Sequence, residues 1–114
     1  MNNVPSMKIF LFCLSATISP LLSAAEPVNN LKVIAVYQMD DEAGAAFEFF
    51  TDKPAHQCGG KPSNRFRVYS RHGEVNDRKF RLIVDALAHQ YKVSIGTKGC
   101  EGKAMKTGFI GVRR

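Results

Sequence analysis

Arg65, Arg67, Tyr69 and Arg71 form the group of side chains best suited to chemistry by type and spacing. A two-residue period puts Arg65, Arg67 and Tyr69 on one face of an extended segment and Phe66 and Val68 on the other. Guanidinium forks suit phosphate, sulfate and carboxylate, and a tyrosine ring can stack on a sugar or a base. The competing reading is a solvated strand face whose charges discourage edge pairing.

Two other constellations deserve weighing. Asp85 and His89 are four apart, so on a helix their side chains can meet, and a carboxylate that orients an imidazole is a catalytic element. No Ser or Cys nucleophile is tied to them, and the bland reading is a surface pair that favours the helix. His56 and Cys58, with Cys100, His72 and His89 further on, could supply metal ligands. Short zinc-binding chains more often show C-x-x-C spacing, which is missing here. The glycines near Cys58 and Cys100 lack the spacing of a phosphate cradle. The expectation is a protein that is not an enzyme and needs no cofactor.

The beginning of the chain reads as an export address. Lys8 supplies a positive start, Ile9 to Leu14 opens an apolar stretch that runs to Leu22, and Ser23-Ala24-Ala25 offers small side chains for cleavage before Glu26. A membrane anchor is the rival, but the stretch is short and broken by Pro20. Cys13 lies inside the apolar run, not at the cleavage point where a lipid anchor needs it. Translation from Met7 would give a more conventional opening than Met1. Residues 1–25 are therefore expected to be a signal peptide, and 26–114 a single small domain of 89 residues, periplasmic or secreted, with no membrane span after cleavage.

Cleavage leaves two cysteines, Cys58 and Cys100. In an oxidising compartment these are expected to pair in one intrachain disulfide, a useful staple for a domain with a modest core. Charge is unevenly spread. Residues 26–52 carry six acids against Lys32 alone, net −5, and residues 53–114 carry fourteen Lys or Arg against four acids, net +10. Such a surface favours anionic partners: acidic glycans, lipopolysaccharide or nucleic acid. Nucleic acid fits the charge but not the compartment.

These residues need elements to position them. Leu31 to Met39 alternates as a strand, with Leu31, Val33, Ala35, Tyr37 and Met39 assigned to one face. A polar turn at 40–44 leads to a second strand, Ala45 to Thr51, with Phe47 and Phe49 opposite Glu48. A long loop, 52–64, carries Cys58 and precedes the third strand, Arg65 to Ser70. Asn76-Asp77 is expected to cap a helix whose stripe is Phe80, Ile83, Val84, Leu87, Ala88 and Tyr91. A fourth strand spans Val93 and Ile95, a turn region 96–102 holds Cys100, and a fifth strand runs from Lys106 to Arg113. The order β-β-β-α-β-β predicts a mainly β protein with one helix, a five-stranded OB-fold-like Greek-key barrel plugged by the helix. An open sheet with one packed helix would give the same order.

The pattern of a cysteine after the second strand, the helix around Lys79 to Ala88, a strand and then a second cysteine resembles the small exported binding subunits of bacterial A–B toxins. That resemblance lies in element order and cysteine placement. It implies a homo-oligomeric ring of five and recognition of host glycans, although no sugar-binding residue of that family maps onto this sequence. Two functions are therefore expected to compete. One is a non-enzymatic binding module for an anionic envelope or host-surface ligand, a glycan foremost. The other is a structural or inhibitory interaction protein of the bacterial envelope.

Overall fold

The computed structural model describes residues 26–40 and 46–114. The expected signal peptide and most of the expected turn at 40–44 lie outside the described residues. The described elements are β1 (Val28–Gln38), β2 (Phe47–Thr51), β3 (Arg65–Val68), α1 (Gly73–His89), β4 (Lys92–Glu101) and β5 (Ala104–Arg113), with a 3₁₀ turn at Cys58–Gly60 between β2 and β3. The strands close a barrel in the order β1-β2-β3-β5-β4, and β4 returns to pair with β1. Neighbours run antiparallel except β3 and β5, which are parallel. The expected order and closure are both present, so the chain is an OB-fold-like barrel with its helix between β3 and β4. Closure matters because it shortens the sheet edge left to pair with another chain.

Alternation explains most of the core. Phe47, Phe49 and Thr51 of β2 and Phe66 and Val68 of β3 point inward and are fully or almost fully buried. Phe49 and Phe66 stack with ring centroids 5.2 Å apart. The helix seals one end of the barrel. Ile83 and Ala86 are buried, and Phe80 meets Phe47 edge-on at 5.2 Å. The apolar stripe is narrower than the spacing predicts. Val84 is 37% exposed and Ala88 is exposed, because a single helix face is enough to cover a five-stranded opening.

Three local expectations are corrected. In β1 the register slips between Val33 and Ala35, a β-bulge that adds one residue on the outer side. Leu31 and Val33 face the core, but beyond the bulge the parity inverts, so Val36 packs on the core while Tyr37 stands 57% exposed. The helix starts at Gly73, not at Asn76-Asp77. Asn76 lies in its first turn and donates its Nδ2 to the Ser70 carbonyl at 3.2 Å, and the Ser70 hydroxyl accepts the His72 N–H. Ser70 organises the entry, so no carboxamide cap is needed. Finally, residues 96–101 belong to β4 rather than to a turn. Gly96 is admitted to the strand because Phe109 crosses it: a Cβ there would lie 2.5 Å from the Phe109 ring. Gly99, at φ 121°, absorbs the second of two irregularities in the pairing with β5.

Cys58 and Cys100 form the expected disulfide, with Cα atoms 5.3 Å apart. It ties the β2–β3 loop to the outer part of β4. His56 braces the same loop. Its Nε2 donates to the Arg65 carbonyl at 2.7 Å and its Nδ1 accepts the Cys58 N–H at 3.2 Å, an arrangement that requires the neutral imidazole. Burial holds the His56 pKa below the ordinary histidine value, against the opposing pull of the Arg65 carbonyl.

Candidate functional site

The outer surface of the barrel is read across strands. Register places Tyr37 opposite Glu48, Glu48 opposite Arg67, and Arg67 beside Lys106, so one row crosses β1, β2, β3 and β5. The next row sets Ala35, Phe50 and Arg65 side by side. Tyr37 and Phe50 meet edge-on at 5.7 Å, and the Arg65 guanidinium lies 6.0 Å from the centre of the Phe50 ring. Arg65, Arg67 and Tyr69 therefore do share a face, as their spacing predicts.

That face is internally paired. Arg65 grips Glu48 with Nε and Nη2 at 3.1 and 3.0 Å. Arg67 reaches both Glu48 and Glu101, and the Tyr69 hydroxyl donates to Glu101. The Glu48 side chain is only 6% exposed beneath the two guanidinia. The hydrogen bonds from Tyr69 and then Arg67 hold the Glu101 carboxyl below the usual carboxylate range. Burial, followed by the bond to Glu101, raises the Tyr69 pKa. Burial alone would lower the Arg67 pKa, but its carboxylate partners more than offset this and leave it raised. Two arginines and two glutamates make a neutral network, so the stretch that looks most cationic in sequence has its charge matched.

Arg71 lies apart from the network, exposed beyond the end of β3. It lines an open depression of about 500 Å³ with Tyr69, Ser70, Lys79 and Lys98. A second depression of about 350 Å³ shares Tyr69 and Lys98 and adds Glu101, Lys106 and Thr107. A third, of about 360 Å³, lies beside the disulfide and takes Lys61, Arg65 and Lys103 into its walls along with Phe50. Arg65, Glu48, Arg67 and Glu101 are joined by salt bridges into one network. Arg71, Lys79 and Lys98 take no part in it. The cations left to face a ligand thus lie mainly on α1, β4 and β5.

Sequence reasoning missed Lys79, Lys98 and Lys106 as a group, and the partners Glu48 and Glu101. Lys79 was identifiable as a cation off the apolar stripe of the helix, but nothing local joins it to Lys98, since the two meet only through barrel closure. Asp85 and His89 are both exposed on α1, and the His89 ring stacks on Tyr91 at 5.2 Å. Among the described residues, no group of three or more His, Cys, Asp or Glu could hold a metal ion. Among those same residues, no helix is long and apolar enough to cross a membrane. No protein-family model, curated protein or solved structure matches the chain.

Proposed function

We propose that the protein is an exported, non-enzymatic binding module for an anionic ligand of the cell envelope or host surface, a glycan foremost. The observation that carries this reading is the pair of adjoining depressions around Tyr69, walled by Arg71, Lys79, Lys98 and Lys106. Cations gathered in a concave surface raise the local concentration of an anionic ligand and hold it once bound. The barrel supports the reading because OB-folds take oligosaccharides and oligonucleotides on their lateral surfaces and loops. The disulfide is in keeping with an oxidising compartment, which favours a sugar or lipid headgroup over nucleic acid. Arg65 and Arg67 border this surface, but their guanidinia are held by Glu48 and Glu101.

The test is a broad screen of glycans and lipopolysaccharide with the mature, oxidised protein. Retention of acidic glycans over neutral ones supports the reading, and indifference to charge removes it. Retention that falls steeply with salt and ignores sugar identity would favour nucleic acid instead. Light scattering tests the resemblance to A–B toxin binding subunits, for which a ring of five is expected.

A second reading, a structural or inhibitory interaction protein of the envelope, rests on a different observation. Ile34 and Tyr37 on β1 and Phe109 on β5 are large apolar side chains at 54–57% exposure. Protein partners use aromatic anchors of this kind. A monomer that captures one envelope protein and ignores every glycan would favour it.

A further inference from the structure

Gly108 of β5 brings two lysines from different elements together. Lys79 on α1 donates its Nζ to the Gly108 carbonyl at 2.7 Å. The stem of Lys98 on β4 lies over the same residue: a Cβ at Gly108 would lie 3.5 Å from Lys98 Cγ and 3.6 Å from its Cδ. Two ammonium groups therefore converge where helix, β4 and β5 meet. Burial, and after it the charge of Lys98, holds the Lys79 pKa below the ordinary lysine value. Like charges held this close favour an anion at the same place. The carboxylate in the adjoining wall, Glu101, is already held by Arg67 and Tyr69.

We infer that the twin depression around Lys79 and Lys98 is the seat of a tetrahedral oxyanion, the phosphate or sulfate monoester of a sugar. This rests on the anionic-ligand reading above and narrows its ligand class. An ammonium group has three donors; Gly108 takes one from Lys79, which leaves two to meet a ligand oxygen. Lysine acts as a rotatable point charge, so two of them can clasp a tetrahedral group without the planar alignment that a guanidinium fork needs. A phosphate monoester carries up to two charges on three oxygens and can satisfy both ammonium groups together, whereas the carboxylate of a hexuronate brings one charge in one plane. Arg71 and Lys106 flank the seat on opposite sides, and Tyr69, common to both depressions, lies where a sugar ring attached to the ester would rest.

Calorimetric or NMR titration of the oxidised protein, at fixed ionic strength, tests this with inorganic phosphate, a hexose 6-phosphate, a sulfated disaccharide and a hexuronate. The esters should bind at least about ten-fold tighter than the hexuronate. Lys98→Gln should weaken ester binding by roughly ten-fold. Lys98 is exposed, so this variant should fold, and Lys79→Gln and Lys53→Gln serve as the second-lysine and remote controls. Equal affinity for ester and hexuronate, or undiminished ester binding by Lys98→Gln, overturns the assignment. If acidic glycans still bind while both lysine variants behave as wild type, the seat is wrong and the broader reading stands. If the wild-type protein binds none of the anions, both fall. Lipopolysaccharide and its dephosphorylated form distinguish the sources of the ester: loss of binding on dephosphorylation identifies a lipid headgroup, and binding confined to the soluble esters identifies a free or polymeric sugar.

Discussion

Glu48, on the outward side of β2, is nevertheless among the most deeply covered polar side chains, because Arg65 lies across it with two parallel hydrogen bonds of 3.0 and 3.1 Å. An outward position on a barrel wall is thereby turned into a buried charge. Arg67 closes the other side. Both carboxylate oxygens accept guanidinium hydrogen bonds, and the cost of desolvation is offset only while both guanidinia stay in place.

Glu48→Gln should therefore lower stability more than an ordinary surface substitution. Removing one partner of a fully buried pair costs about 3–5 kcal/mol. Arg65 is 37% exposed, so solvent screening reduces the expected loss to roughly 2 kcal/mol. Guanidinium chloride unfolding measures it. A loss within about 0.5 kcal/mol, the range of neutral surface changes, would mean that the arginines simply turn to water.

The same pairing predicts a division of labour among the arginines. Arg65→Gln should shift the unfolding midpoint and change anion retention little. Arg71→Gln, outside the network, should leave the midpoint alone and weaken retention of acidic glycans several-fold. Parallel melting and affinity chromatography of the two variants decide it, and the reverse pattern would return the ligand face to β3.

Replacing both cysteines, Cys58→Ala with Cys100→Ala, avoids a stray thiol and removes a bridge between residues 42 apart. The loop-entropy relation gives a loss of about 4 kcal/mol. For a domain of this size that lowers Tm by more than about 15 °C. Identical melting of the oxidised parent and the double variant would show that the bridge constrains nothing.

Acid should weaken the fold in two steps. His56 has a folded pKa below its unfolded value of 6.5, so the unfolded chain takes up the proton first. Its contribution is complete above about pH 6.5 and is lost as pH falls through the lower folded value. Glu101 follows the same sign at lower pH, with its contribution complete above the unfolded value of 4.5 and lost below it. Unfolding midpoints between pH 7.5 and 5 should fall for the parent and fall less for His56→Gln. A flat profile in the parent would rule out the neutral imidazole as the brace of the Cys58 loop.

Much of the fold was legible because alternation and helical spacing are local. Phe47 and Phe49, Phe66 and Val68, and the Phe80–Ile83–Leu87 stripe each declare a face within one element. The bulge at Ile34 was not legible, since parity counting assumes that every residue advances the pleat, and one extra residue reverses all that follow. Gly96 and Gly99 looked like turn residues because the reasons for them, the Phe109 ring overhead and the slip against β5, lie on another strand. For the site, the spacing of Arg65, Arg67 and Tyr69 correctly put them on one face. It could not reveal that Glu48 and Glu101, 17 and 34 residues away from the arginines they bind, had already claimed them.

The parallel seam between β3 and β5 is held by the pairs Phe66 with Met105 and Arg67 with Lys106, and Met105 pairs in turn with Cys100 on the next strand. The sulfur link thus rivets the wall one strand away from its shortest join. Whichever forms first, covalent tie or seam, shortens the chain excursion left for the other. Oxidation of the two thiols and closing of the cylinder therefore assist one another, and a reduced chain must find its last strand partner unaided.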